Sequence, residues 1–162
     1  MIRSAAPSDL SAIAALEVEV YDHPWSESII RDELSQSNRS YLVVEAEGDI
    51  IGFGGAMFVV EDAHITTLGI APAHRRRGIG SWLLLNLIDR ALDSGSRNLT
   101  LEVRESNVDA QLLYEHFGFA EVGKRHGYYR DEDAVVMWAL NIDTDDYQRR
   151  LDAIRVRLGD AA

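Results

Sequence analysis

Leu68 to Gly80, LGIAPAHRRRGIG, joins an apolar strand-like run, His64 to Ile70, to a long helical pattern. The join passes through Ala71-Pro72 and the basic run Arg75-Arg76-Arg77, then Gly78-Ile79-Gly80. Glycines at a helix start let another group approach the backbone, and the N–H groups of a first helical turn have no carbonyl inside the helix. A join of this kind is suited to an anion, and phosphate is the expected one. Taken alone, the three arginines are equally a solvated basic turn. The common nucleotide motifs do not fit. A Rossmann turn needs a third glycine at position 83, where Leu83 stands, and no Gly-Lys-Ser/Thr follows as a P-loop requires.

Working outward on the C-terminal side, Ser81 to Leu92 is nearly continuously apolar, with Leu84, Leu87, Ile88 and Ala91 on one stripe and Gly95 as terminator, which predicts a central helix. Leu99 to Val103 alternates as a strand, with Glu102 turned away from Leu99 and Leu101. Asn107 or Ser106 can cap the next helix, whose stripe is Ala110, Leu113, Tyr114 and Phe117, ending at Gly118. Strands Ala120 to Arg125 and Ala134 to Leu140 form a closing hairpin, and an amphipathic helix begins at Asp143 or Thr144 with Tyr147, Leu151, Ile154 and Leu158 on one side.

On the N-terminal side, a short strand, Ile2 to Ala5, precedes a helix from Asp9 to about Val20 capped by Ser8. His23-Pro24-Trp25 breaks it, and Ser26 caps a second helix through about Leu34. Trp25 is then either a core anchor or a substrate-loop residue. Tyr41 to Glu45 and Ile50 to Val60 form an antiparallel hairpin through Glu47-Gly48-Asp49, and the next strand is about Ala63 to Ile70. Gly52, Gly54 and Gly55 suggest a bulge or a close backbone approach, and equally fit simple packing against a bulky neighbour. The element order predicts an α+β (mixed α/β) fold with a mostly antiparallel central sheet and helices on both faces.

The chain has 162 residues, 46% hydrophobic, enough for one domain core, and its formal charge is -11. That balance disfavours nucleic acid and favours basic partners. No cysteine is present, so disulfides, thiolate metal sites and acyl-cysteine intermediates are excluded. No signal-peptide core is visible and no apolar run reaches the roughly 20 residues a bilayer requires, so no membrane association and a cytoplasmic location are expected. The five histidines, His23, His64, His74, His116 and His126, lack metal-ligand spacing; they read as isolated surface or core residues and no metal is expected.

Arg75-x-x-Gly78-x-Gly80 resembles the acetyl-CoA signature of the GNAT N-acetyltransferases, and the element order is similar too. Pro24-Trp25-Ser26, Leu101-Glu102-Val103-Arg104, Ser106-Asn107, Leu113-Tyr114-Glu115, Phe117-Gly118-Phe119, Tyr128-Tyr129 and Glu132-Asp133-Ala134 resemble, in order and spacing, the branch that acetylates ribosomal-protein N-terminal alanine. The likeness covers about Ile2 to Leu140, so residues 1–140 are expected to form the acetyltransferase domain and residues 141–162 a helical extension for packing or a partner.

The resemblance implies acetyl-CoA as cosubstrate. Leu68, Gly69 and Ile70 would line its pantetheine arm; Arg75, Arg76, Arg77, Gly78, Ile79, Gly80 and Ser81 would hold its pyrophosphate, and Asn107 would add a contact. Glu102 would be the base, through water, and Tyr114 the acid at the thiolate. The residues themselves allow plainer roles: a salt bridge from Glu102 to an arginine such as Arg104 or Arg77, a core place for Tyr114 beside Phe117, and helix capping for Asn107. Pro24, Trp25, Tyr128 and Tyr129 would flank the acceptor, a basic protein N-terminus, with Asp131 to Asp133 either attracting it or forming a solvated hairpin tip. A monomer or weak dimer is expected. A small-amine acetyltransferase and a non-catalytic CoA-binding domain are the rival readings.

Overall fold

A computed structural model of the chain describes residues 1–160. Its elements are β1 (Ile2–Ser4), α1 (Leu10–Val20), α2 (Glu27–Ser35), β2 (Arg39–Ala46), β3 (Asp49–Val59), β4 (Asp62–Ile70), α3 (Ile79–Asp93), β5 (Asn98–Arg104), α4 (Val108–His116), β6 (Ala120–Arg125), β7 (Ala134–Leu140) and α5 (Asp145–Asp160). The strands form one seven-stranded mixed sheet, ordered β1-β2-β3-β4-β5-β7-β6 and mostly antiparallel, as the sequence predicts. The parallel pair is β4 with β5, registered from Asp62↔Asn98 to His64↔Thr100. Among the described residues, no helix is long and apolar enough to cross a membrane.

The chain divides into two compact units. The first comprises Met1–Met57 and Ile65–Arg90. Its β2–β3 hairpin turns at Glu47 and Gly48, both with positive φ, as the Glu-Gly-Asp signal predicts. The glycines of β3 serve close approach. A Cβ on Gly54 would lie 2.9 Å from the Leu87 side chain of α3, and one on Gly55 would lie 2.9 Å from Thr66 Oγ1. One register shift also falls between Val44 and Glu45.

Two expected helix starts are corrected. Ser8 caps nothing. Pro7–Asp9 forms a 3-10 turn, and Asp9, bound to Arg3, accepts a 2.7 Å bond from the Ala6 N–H. The central helix begins at Ile79 rather than Ser81, its first turn closed by a 3.0 Å bond from the Trp82 N–H to the Gly78 carbonyl, so Gly80 is helical despite its poor propensity.

The second unit comprises Phe58–His64 and Ala91–Ala162. Leu99, Leu101 and Val103 of β5 are buried, as their alternation predicts, and β7 pairs along the whole strand. Asn107 caps α4 by accepting from the Ala110 N–H at 3.2 Å, and Gly118, with φ at 88°, ends it. In α5, Tyr147, Leu151 and Ile154 are buried, and the Tyr147 hydroxyl donates a 2.7 Å bond to the Phe117 carbonyl. That bond ties the last helix to the end of α4. Leu151→Ala should cost about 2–5 kcal/mol of unfolding free energy and Tyr147→Phe about 1 kcal/mol, measured by urea denaturation. Changes near zero in both would mean that α5 is not part of the cooperative unit.

Candidate active site

In the first unit, β4 ends at Ile70 and the chain turns through a 3-10 segment, Pro72–His74, into α3. Arg76 and Gly78 both take left-handed backbone, with φ of 63° and 76°. Two left-handed residues thus bend the chain just ahead of the helix. The helix N-terminus adds its partial positive charge, and Arg75, Arg76 and Arg77 are exposed around it. Arg75 is steadied by its own turn, its Nε donating to the Ile70 carbonyl at 3.1 Å. The chemistry of these residues fits a pyrophosphate: a helix N-terminus offers backbone donors, and the arginines add positive charge.

Also in the first unit, Trp25 is half-buried in the α1–α2 loop, and its N–H donates to Glu17 Oε2 at 3.1 Å. Glu17 is 1% exposed and its Oε1 has no hydrogen-bond partner. Burial pushes its carboxyl up to about 7, against the opposing bond from Trp25. One helical turn on, the Tyr21 hydroxyl donates to the Leu68 carbonyl at 2.8 Å and lies 3.2 Å from Thr67 Oγ1.

In the second unit, Glu102 stands on β5 with its side chain 9% exposed. The plain reading of a salt bridge to an arginine is met by Arg125, not by Arg104 or Arg77, and a histidine lies closer. His64 Nε2 lies 2.6 Å from Glu102 Oε2, and Arg125 Nη2 lies 3.6 Å from Oε1. The bond to His64 holds the carboxyl below the usual carboxylate range, against burial, with the charges of His64 and Arg125 helping. His64 is therefore not an isolated histidine. A tautomer that donates Nε2–H to the carboxylate leaves the Nδ1 lone pair open, the arrangement of an oriented base.

Around this pair the β6–β7 loop is pinned. The Tyr129 hydroxyl donates to the Glu102 carbonyl at 3.4 Å, and the Arg104 guanidinium sits 4.3 Å from the centre of the Tyr129 ring. Arg104 also donates to Asp131 at 2.7 Å and Glu132 at 3.0 Å, and Glu132 accepts from the Ser106 N–H and hydroxyl. Asp133 accepts from the Gly127 N–H at 2.8 Å and pairs with His126. The acidic run is thus neither a free anionic lure nor a bare solvated tip. Tyr128 is about half exposed, and its hydroxyl is raised by burial and by the charge of Glu102. Tyr114 is buried on α4, its ring 5.7 Å from that of Phe119.

A model of the acetyltransferase (GNAT) family matches residues 10–119. The chain belongs to the GNAT family. It is an acetyltransferase homologue with curated relatives along most of its length. The chain is 34% identical over 140 residues to a putative ribosomal protein bS18-alanine N-acetyltransferase of Bacillus subtilis, covering 85% of this chain and 93% of that one. It is 32% identical over 140 residues to the bS18-alanine N-acetyltransferase of Escherichia coli, covering 84% and 94%. The crystal structure of the ribosomal-protein-S18-alanine N-acetyltransferase from Escherichia coli superposes with a TM-score of 0.81 at 32% identity, covering 87% of this chain and 93% of that one. An N-acetyltransferase of Thermoplasma acidophilum in complex with coenzyme A, 19% identical with a TM-score of 0.76 over 86% of this chain and 98% of that one, shares the fold. GNAT enzymes use acetyl-CoA, which suits the phosphate reading of the β4–α3 turn.

Sequence reasoning about this GNAT chain missed His64 and Glu17. For His64 a signal was present: His64 and Thr66 alternate on β4, and Thr100 and Glu102 on β5, giving each strand a polar face. Glu17 has a testable signature. Its carboxyl binds protons more strongly in the folded chain than an ordinary glutamate, so it lowers stability as pH rises from about 4.5 through about 7. The melting temperature of Glu17→Gln minus that of the parent should therefore be more positive at pH 8 than at pH 5 in thermal scans. A constant difference would show that Glu17 does not hold its proton.

Proposed function

We propose that this chain transfers the acetyl group of acetyl-CoA to the N-terminal α-amine, alanine preferred, of a basic ribosomal-type protein, by direct attack in a ternary complex. The observation that carries the reading is the Glu102–His64 hydrogen bond beside the pinned Tyr128–Tyr129 loop, an oriented base next to aromatic side chains. The names of the relatives support the acceptor class.

Acetyl-CoA supplies a thioester whose acyl carbon accepts the amine. On this reading, Arg75 to Ser81 hold the pyrophosphate at the α3 N-terminus, while main-chain groups of Leu68, Gly69 and Ile70 line the pantetheine arm and Asn107 adds a contact. The Asn107 side-chain oxygen is already used as the α4 cap, which leaves its amide NH2 for that contact. Pro24, Trp25, Tyr128 and Tyr129 take the acceptor.

The acceptor amine must be neutral to attack. A peptide α-amine with a pKa of about 7.7 to 8.0 is roughly a tenth to a sixth neutral at pH 7, so the base removes one proton from a group already near its pKa. His64 Nδ1 receives that proton directly or through one water, and the Glu102 carboxylate stabilises the resulting imidazolium. The depressed carboxyl of Glu102 makes it a better holder of a cation than a proton sink. As the nitrogen–carbon bond forms and the carbon–sulfur bond breaks, Tyr114 gives its hydroxyl proton to the departing thiolate. The absence of cysteine is consistent with direct transfer.

A mass-spectrometric assay with acetyl-CoA, offering alanine-initiated peptides, lysine-bearing peptides and small polyamines, tests the reading. Acetylation of the alanine α-amine is expected, with sequential kinetics. Glu102→Gln and His64→Ala should each lower kcat by about 100-fold or more, in the range of a lost general base, and together little further because they act as one unit. Transfer only to lysine or polyamines would replace the acceptor class, and none at all would leave a CoA-binding domain.

A further inference from the structure

The α1–α2 loop carries Pro24 and Trp25 between two helices, and Trp25 is fastened to α1 through its main chain rather than its ring. The fastening group, Glu17, is almost wholly buried, and its second carboxylate oxygen is one of three buried side-chain atoms without a partner among the described residues, with Tyr41 Oη and Thr66 Oγ1. These groups share the first unit. Thr66 Oγ1 and the Tyr41 ring both lie within 3.4 Å of where a Cβ on Gly55 would be, and the Tyr41 hydroxyl is raised by burial and then by the charge of Glu17.

A buried carboxyl with an unsatisfied oxygen is an expensive way to stabilise a fold. Nothing in the packing of α1 requires it, since Ile13 and Leu16 already supply the helix with buried apolar side chains. What Glu17 does uniquely is accept the Trp25 N–H. Tyr21, the extended residue that caps the C-terminal end of α1, does the corresponding work for β4 by donating to the Leu68 carbonyl. The C-terminal end of α1 thus holds a loop residue with Glu17 and the end of β4 with the capping residue Tyr21.

We propose that Glu17 is a positioning residue for acceptor binding, fixing the Pro24-Trp25 loop through the Trp25 N–H, while Tyr21 fixes the acyl-donor stretch of β4 through the Leu68 carbonyl. This rests on the reading of Pro24 and Trp25 as acceptor contacts and of Leu68 to Ile70 as donor contacts. Its consequence is a division of labour: loss of the Glu17 oxygen loosens the acceptor loop and leaves acetyl-CoA binding alone, and loss of the Tyr21 hydroxyl does the reverse.

The experiment uses the full chain with Trp82→Phe and Trp138→Phe, which leaves Trp25 as the sole tryptophan. Acrylamide quenching reports the loop, and steady-state kinetics report each substrate. Glu17→Ala should raise the quenching constant severalfold and the KM for an alanine-initiated peptide about tenfold, as expected for a lost hydrogen bond to an ionisable group, with the KM for acetyl-CoA unchanged. Glu17→Gln keeps an acceptor oxygen and should restore both values. Glu17→Met fills the same space without an acceptor and is the variant to read should the alanine form not fold. Tyr21→Phe should raise the acetyl-CoA KM and leave Trp25 quenching as it was.

Unchanged quenching in both Glu17→Ala and Glu17→Met overturns the latch. Looser quenching with an unchanged peptide KM overturns its role in acceptor binding. A parent protein that acetylates no amine defeats the functional reading instead, and the quenching series then decides the latch by itself.

Discussion

The parallel pairing of β4 with β5, registered from Asp62↔Asn98 to His64↔Thr100, is the constraint on which the rest of this molecule depends. Parallel neighbours cannot be joined by a tight turn; the chain must cross over, and here it does so through α3. A crossover helix that follows a strand begins at that strand's C-terminal end. The left-handed turn at Arg76 and Gly78, the exposed arginines and the unsatisfied N–H groups of the first α3 turn are therefore set directly after Ile70. The same ladder pairs His64 with Thr100 and so brings it within reach of Glu102, two residues further along the same strand face. One strand thus leads into the Arg76–Gly78 turn at its end and sets His64 beside Glu102 near its start.

Most of the fold was legible because it is written in local signals. Glu47-Gly48 marks a hairpin, Gly118 ends a helix, Asn107 starts one, and the alternation of Leu99, Leu101 and Val103 states which face of β5 is buried. Where local signals compete, tertiary context decides. Ser8 is a good capping residue by type, but Pro7 at a helix start and Asp9 held by Arg3 give the Ala6 N–H a different partner. Gly80 is a poor helix former, yet α3 includes it because the helix is fixed by buried leucines further along.

The site was legible only in part, for a different reason. His64 and Glu102 are 38 residues apart, and Trp25 and Glu17 meet through a main-chain N–H that no side-chain pattern displays. Strand register cannot be read from composition, and one residue of slip would have turned His64 to the opposite face. The family motifs, by contrast, name Glu102 and Tyr114 without naming what surrounds them. Partners matter here because a carboxylate alone and a carboxylate holding an imidazole perform different chemistry: the first takes a proton, the second stabilises the group that takes it.

The charges follow the same logic of partners. A basic acceptor suggests acidic residues at the mouth, and Asp131, Glu132 and Asp133 invite that assignment by their position beside Tyr128 and Tyr129. Their bonds point elsewhere. Asp131 and Glu132 share Arg104, Glu132 also receives the Ser106 N–H and hydroxyl, and Asp133 is bound by Gly127 and His126. Arg104 in turn lies against the Tyr129 ring. The acidic run thus spends its charge on shaping the tyrosine loop, and two of its three carboxylates lie beside one guanidinium. For the basic acceptor proposed above, long-range attraction would come from the net charge of -11 spread over the molecule. At physiological salt that field fades over about 8 Å, so it speeds encounter and does little to hold register. Each aromatic residue is fixed by its own partner: Arg104 lies against the Tyr129 ring, and Glu17 accepts the main-chain N–H of Trp25.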